Sequence, residues 1–540
     1  MSAPIYLDYA ATTPVAPEVA RAISDALASE ADFGNPSSVV HAFGRRAEAR
    51  IEAARATVAA LIGAAADDLV FTSGATESNN LAILGVARAS AAPAGAGKSR
   101  HVVTTKIEHK AVLDPCKQLE REGFSVTYVA PDSSGRVQPD AILAALRPET
   151  VLVSVMHANN EIGVIQDIRA IGEICRERGI VFHTDAAQSV GKLALDVSTL
   201  PVDLLSFTAH KIYGPKGIGA LYLRPSVRAR LKPIAFGGGQ ERGLRPGTLP
   251  THQIVGFAAA CELAVRSLAT EPARLQGFRD RLWRGLACLD GVHLNGEAAP
   301  ALPGILNVSF EGVEGESLVI SLSSLAVTTG SACSSASGDP SYVLRALGRS
   351  TQLAQSSLRF SFGRGTSDAD IDSAADAVQL QVARLRAVSP AGTGQVAANT
   401  TQESDLPRTL GAKARHYFHA LPAAGALSEG PGVIQGTAGS PAADAWVRFH
   451  LQVEEGIVKA ALFQAWGCPH TLAVTAWLNG QLPGRNLRQP QSEFVPGTPS
   501  AWLQALEIPV EKLGRLLIVE DALRAAWQQW NEAPWNSRNA

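Results

Sequence analysis

The chain has 540 residues, 46% of them hydrophobic and 18% charged, with a formal net charge of −2. That length asks for several domains, since a typical domain holds roughly 100–200 residues. The near-neutral balance speaks against nucleic-acid or membrane-surface partners, which want a basic face, and the apolar fraction excludes disorder as the dominant state.

The N-terminus, MSAPIYLDYAATTP, has neither a basic nor an apolar signal region, so no signal peptide is expected. No apolar run of about 18 residues occurs, so no transmembrane helix is expected. Cys116, Cys175, Cys261, Cys288, Cys333 and Cys468 are scattered without a CxxC pair. This is the thiol usage of a reducing compartment and points to a cytoplasmic protein.

Helical and strand-like segments alternate up to about residue 390. A helix is predicted from Glu48 to Ile62, then a short strand in DLVFTSG and a helix from Glu77. A strand HVVTT at 101, a helix from Ala111 to Glu122 and a strand SVTYVA follow. VLVSVMHANNE, a helix from Ile168 to Arg178, and the strands IVFHTDAA and LLSFTAH complete the series. Apolar β-branched runs separated by helices indicate a mostly parallel, buried sheet. After Ser389 the chain turns rich in Pro, Gly, Ala, Thr and Gln, and 391–414 reads as a flexible linker. A second compact region, 415–540, opens with a β-hairpin in AWVRFHLQVEEGIVKAALFQAW, around a Glu-Gly turn. Helical periodicity follows in TLAVTAWLNG and EDALRAAWQQWNEA, and the residues after Ala533 read as a frayed end.

Three features of the first region carry chemistry. In SFTAHKIYGPKGIGAL a strand ends in Thr208-Ala209-His210-Lys211 before a Gly/Pro-rich turn. A lysine there can form a Schiff base with a carbonyl cofactor if its pKa is lowered; the plain alternative is a solvated lysine. In HTDAAQSVGK, Asp185 ends a buried strand, where it can hold a pyridinium nitrogen or simply cap a helix. In FTSGATESNNLAI a glycine turn enters a helix near Thr76, a start that binds phosphate or forms an ordinary capping box with Thr76 or Ser78.

Together these signals run in the order of a pyridoxal-phosphate enzyme. With LDYAATTPV, FGNPSS, MHANNEIGVIQD, GGGQERGLRPGTLP and TTGSACSSASGDPSYVLRALG, the chain over 1–390 resembles a cysteine desulfurase of the iron–sulfur-cluster-assembly type. The resemblance implies an α/β fold, the pyridoxal-phosphate-dependent transferase fold type I of the class V aminotransferases. Its large domain (about 15–260) would hold a mostly parallel seven-stranded sheet, and its small α+β domain would come from 1–14 and 261–390.

It also implies roles. Lys211 would carry pyridoxal 5'-phosphate, Asp185 would pair with the ring nitrogen and His109 would stack on the ring. Asn160 and Gln188 would contact the ring and its phenolic oxygen. Ala75, Thr76, Thr208 and His210 would bind the phosphate, with Thr248 contributed by the second subunit of a homodimer. Arg359 would bind the carboxylate of L-cysteine, with Asn35 nearby and Asn160 beside it. Lys211 or His109 would move the α proton. Cys333, in a loop of small residues, would take the sulfur as a persulfide. Selenocysteine lyase activity at the same site is the open alternative. An aminotransferase, which needs no thiol, and a non-enzymatic sulfur scaffold fit less well.

Residues 415–540 resemble the iron–sulfur scaffold family, in GSPAADAWVRFHLQVEEGIVKAALFQAWGCPHTLAVTAWLNGQL and VEKLGRLLIVEDALRAA. This implies a C-terminal α+β scaffold-like domain. Of the family's three ligand cysteines, the first position falls on Ala442, with Asp444 kept two residues on. The second survives as Cys468, and the third, with its preceding histidine, reads Gly514-Arg515. One thiolate and one carboxylate are too few for a cluster, which normally wants four ligands, and a lone His470 beside a helix start does not make up the number. No confident metal site is therefore expected, only the residual Cys468 and Asp444. The sulfur acceptor is then a separate scaffold protein or the chain's own C-terminal domain through Cys468; otherwise that domain is a regulatory docking module.

Overall fold

The computed structural model describes residues 4–30, 33–90, 100–297, 299–329, 340–390 and 410–533. Its largest element is a seven-stranded sheet. In spatial order the strands are Leu69–Thr72, Gly219–Leu223, Leu204–Thr208, Val181–Asp185, Thr150–Ser154, His101–Thr105 and Ser125–Val129. Only Gly219–Leu223 runs against its neighbours. The inner strands are buried throughout, as their near-continuous apolar composition requires when helices cover both faces. The mostly parallel sheet and the predicted helices are present, with boundaries shifted by a few residues.

The parallel strands share one carboxyl edge, and Thr72, Thr105, Ser154, Asp185 and Thr208 all end there. Ligands of open α/β sheets bind beyond that edge, where loops diverge and helices begin. Gly219 sits at the same edge, and a Cβ there would lie 2.7 Å from the Cα of Gly74. Only glycine lets the antiparallel strand pass this close to the turn that opens the helix Ala75–Ala89.

The helix Thr251–Ser267 packs on Pro17–Ala28 and Ala42–Ala60, and its Ile254, Phe257, Ala260 and Cys261 belong to the large-domain core. The division expected at 260/261 therefore falls inside a helix. Beyond it, the helices Glu271–Leu286 and Asp368–Val388 pack together beside a three-stranded antiparallel sheet, ordered Ser357–Ser361, Ile305–Phe310, Val292–Leu294. Ile5–Tyr6 pairs in parallel with Leu325–Ala326 and ties the N-terminus to this part.

Residues 410–533 hold an antiparallel sheet of Val433–Ser440, Ala445–Glu454 and Ile457–Trp466. The predicted hairpin turns through Glu455 (φ 53°) and Gly456 (φ 82°), and positive φ at both positions is the type I′ geometry that suits strand twist. The helices Pro469–Asn479 and Leu513–Glu532 are the two predicted ones. The strand Val433–Ser440 was not anticipated. Its Gly436 faces the last helix so closely that a Cβ would lie 2.1 Å from the Ala522 carbonyl oxygen.

This region is not a separate bead on a tether. One continuous apolar core joins Phe310, Phe360 and Val382 to Phe418, Phe449, Trp502 and Leu523. The expected linker 391–414 is corrected at its end: Leu410 is 1% exposed and a helix spans Ala412–Ala420. Residues 391–409 and the expected frayed end after Ala533 lie outside the described residues. Among the described residues no helix is long and apolar enough to cross a membrane.

Candidate active site

A cavity of about 510 Å³ opens at the carboxyl edge of the large sheet. Its wall includes Ala75, Thr76, His109, Asn160, Asp185, Gln188, Thr208, His210, Lys211 and Arg359. These ten expected residues come from segments up to 284 positions apart, between Ala75 and Arg359, and the sheet edge brings them together.

Each is held by its local element. Asp185 ends its strand and accepts from Asn79 Nδ2 at 2.7 Å and from the Ala187 N–H at 2.9 Å. His109 caps the helix Lys110–Arg121, its Nδ1 accepting from the Ala111 N–H at 3.1 Å. Burial lowers its pKa; Asp185 opposes that shift and Lys211 adds to it. Thr208 Oγ1 donates to the Ile218 carbonyl at 3.1 Å, and His210 Nδ1 lies 3.1 Å from Thr12 Oγ1. Burial, with Lys211 beside it, pushes His210 down to about 4, so the ring is neutral near pH 7.

Lys211 follows directly, in the short helical turn Ala209–Lys211. Its ammonium donates to the Ala11 carbonyl at 2.7 Å and to the Ala10 carbonyl. Burial, and then the cations Lys192 and Arg359, push its pKa down to about 7 against Asp8 and Asp185. An amine in that range is available as a nucleophile or base at neutral pH.

Arg359, on the strand Ser357–Ser361, is fixed by Asp8 at 2.6 Å and by the Asn160 carbonyl at 2.8 Å. Glu161, next to Asn160, also lines the cavity; burial raises its pKa to about 7, although Ser341 Oγ donates to it at 2.5 Å. Asp8, Asn79, Glu161 and Lys192 escaped the sequence reading. LDYAATTPV and HTDAAQSVGK contain two of them, but nothing in spacing alone marks a buried carboxylate or a second lysine.

Two expected residues stand apart. Asn35 is exposed, its side chain accepting from the Ser37 N–H at 2.9 Å, and it does not reach this cavity. Thr248 is likewise exposed and outside the cavity wall. Cys333 lies outside the described residues.

The comparisons fit this geometry. The cysteine desulfurase IscS of Salmonella arizonae is 56% identical over 390 residues, 72% of this chain and 95% of that protein. The IscS of Serratia proteamaculans matches to the same extent. Residues 5–373 match the aminotransferase class-V family. The chain belongs to this family, among its cysteine desulfurases. Of solved structures, a NifS-like protein superposes with a TM-score of 0.63 at 35% identity, over 70% of this chain and 98% of that one. SspA in complex with cysteine does so with a TM-score of 0.59 at 39% identity, over 66% and 98%.

Enzymes of this family use pyridoxal 5'-phosphate, and the cavity fits it. An amine of lowered pKa faces it, a carboxylate is fixed at a strand end, and a helix N-terminus with free N–H groups opens beside Gly74. Asn79 Oδ1 and Arg359 Nε on the same wall are buried without a protein partner.

In the C-terminal region, Cys468 caps the helix Pro469–Asn479 and is 5% exposed, with Thr471 Oγ1 3.5 Å from its sulfur. Burial raises its thiol pKa, with Lys512 opposing. Asp444 pairs with Arg515 at 3.5 Å. Among the described residues no group of three or more His, Cys, Asp or Glu is placed to hold a metal ion.

Proposed function

We propose that this chain converts L-cysteine to L-alanine and passes the sulfur, as a persulfide on Cys333, to iron–sulfur cluster assembly. The observation that carries the reading is the convergence of Lys211, Asp185, His109 and Arg359 on one cavity, in a chain 56% identical to a cysteine desulfurase.

The residues divide the work. Lys211 would carry the cofactor, the Ala75 and Thr76 N–H groups with Thr208 and His210 would hold its phosphate, and Asp185 would keep a proton on the ring nitrogen. His109 would lie against the ring, and Gln188 and Asn160 would orient it. Pyridoxal phosphate supplies the electron sink that loosens bonds at the substrate α carbon. Arg359, neutralised in part by Asp8, receives the substrate carboxylate in a charge-assisted contact. Lys211 or His109 takes and returns the α proton. The Cys333 thiolate attacks the substrate sulfur; an S–S bond forms as the C–S bond breaks, and the carbon skeleton leaves as alanine with a proton. The residues flanking Cys333 in the sequence are Gly, Ser and Ala, none with a bulky side chain.

A homodimer belongs to this reading. Its support is that Thr248 lies away from its own chain's cavity, and that Phe33, Val40 and Phe236 are 72%, 88% and 87% exposed. A cytoplasmic site of action is proposed from the thiols: Cys116, Cys175, Cys261, Cys288 and Cys468 are all free.

Residues 410–533 are proposed to be a scaffold-like module that docks rather than accepts sulfur. What supports this is the buried Cys468 thiol beside a shared core. Ser317 Oγ donates to the Gly467 carbonyl at 2.8 Å, and Lys512 pairs with Glu316 at 3.3 Å. The test is alanine and sulfide production from L-cysteine by the wild type, Cys333→Ala and Cys468→Ser. Loss in the first variant and wild-type transfer to an external scaffold in the second are expected. A trapped Cys333–Cys468 disulfide would reverse the second assignment.

A further inference from the structure

Lys192 takes no part in the roles assigned above, yet it stands at the head of a hydrogen-bond chain that ends on Lys211. Its ammonium donates to Gln188 Oε1 at 3.2 Å. The other end of that amide, Nε2, donates to the Ala10 carbonyl at 2.9 Å. The same carbonyl accepts from the Lys211 ammonium. Lys192 and Lys211 also line one mostly apolar cavity of about 40 Å³, together with Tyr9, Leu302 and Phe362.

The charges around the pair are few. Among the described residues Lys192 faces Glu271 as a counter-charge and Arg359 as a like charge, and burial lowers its pKa to about 8. Glu271 is itself engaged by Arg364 at 3.3 Å. Lys211 feels Asp8 and Asp185 as counter-charges and Lys192 and Arg359 as like charges, with His109 and His210 adjacent and their pKa values lowered by burial. A like charge held in a poorly solvated cleft favours the neutral form of its neighbour.

We propose that Lys192 is a positioning residue for the desulfurase reaction: its ammonium fixes the Gln188 amide in one orientation and sets a second cation near Lys211. This rests on the assignment of Lys211 as the cofactor lysine. The amide carbonyl is taken by Lys192, so the amide nitrogen is the end turned toward Ala10 and the site. Without the ammonium the amide is free to flip, and Lys211 loses a charge that suppresses its protonation.

The test is a titration of the visible cofactor absorption in the full-length holoenzyme, beside the pH profile of kcat/KM. Wild type, Lys192→Met, Lys192→Arg and Lys211→Ala are compared, with thermal melting to establish folding. Lys192→Met removes the charge at similar volume, and the absorption midpoint and the acid limb of kcat/KM move up by about one pH unit, a tenfold change in the neutral fraction. Lys192→Arg keeps the charge and a donor, and holds both near the wild-type position. An unmoved midpoint in folded Lys192→Met overturns the proposal, as does an equal shift in the Met and Arg variants, which would mark Lys192 as cavity filling. A cofactor band that survives in Lys211→Ala overturns instead the assignment on which the proposal rests.

Discussion

Arg515, near the start of the helix Leu513–Glu532, reaches Asp444 with one guanidinium nitrogen at 3.5 Å and the Ala443 carbonyl with another at 2.8 Å. If residues 410–533 are the scaffold-like module proposed above, a ligand cysteine would be expected where Arg515 stands and another at Ala442. On that reading Arg515 does more than replace a thiolate: it engages the Asp444 carboxylate with a cation. The full-length enzyme, treated with ferrous iron and sulfide, is expected to gain no cluster absorption and only substoichiometric iron after desalting. Arg515→Ala frees Asp444 but restores no thiolate, so the same result is expected there. Stoichiometric iron in either protein would refute this account of the module.

Cys333→Ala is expected to lower sulfide and alanine formation from L-cysteine by at least about a hundredfold, because no other group on the proposed route takes the substrate sulfur. Its cofactor absorption should match wild type, since Lys211 and Asp185 are unchanged. Retained turnover would move the sulfur-accepting role to another residue.

Arg384 links the catalytic half to the C-terminal module. From the helix Asp368–Val388 it donates to the His419 carbonyl at 2.6 Å and to the Phe418 carbonyl, capping the end of Ala412–Ala420. Burial lowers its pKa to about 10, so it stays charged at neutral pH. Arg384→Ala removes both bonds and is expected to cost about 2–4 kcal/mol of stability. Denaturant unfolding of the full chain measures this; a midpoint within experimental scatter of wild type would mean that the apolar contacts alone hold the module.

The large sheet was legible because each strand is a short β-branched run between helical periods, as in HVVTT and LLSFT. The residues that line the cavity were legible because Asp185 ends a strand, Lys211 closely follows the end of another, and the family resemblance marks His109. Val433–Ser440 was not legible: VIQGTAGS has the small-residue composition of a loop, and its strand state depends on a helix nearly ninety positions later crossing at Gly436. Nor was the docking of the module, since a shared core between Val382 and Phe418 leaves no mark on either segment alone. Glu161 was hidden because burial and proximity to Arg359 and Ser341 are properties of the fold.

Glu161 sets a pH dependence of its own. Burial raises its carboxyl pKa to about 7, against the bond from Ser341 and the nearby Arg359. A folded-state pKa above the unfolded value means that folding favours the protonated form. The associated stability is full below the unfolded pKa of about 4.3 and is lost as pH rises through about 7. Glu161→Gln keeps an acceptor for Ser341 Oγ and has no proton to lose. Its melting temperature relative to wild type should therefore rise between about pH 4 and pH 7 and level off above that. Melting curves of both proteins across that range decide it: a constant difference would show that Glu161 stays ionised in the folded chain, stabilised by Arg359 more than burial opposes it.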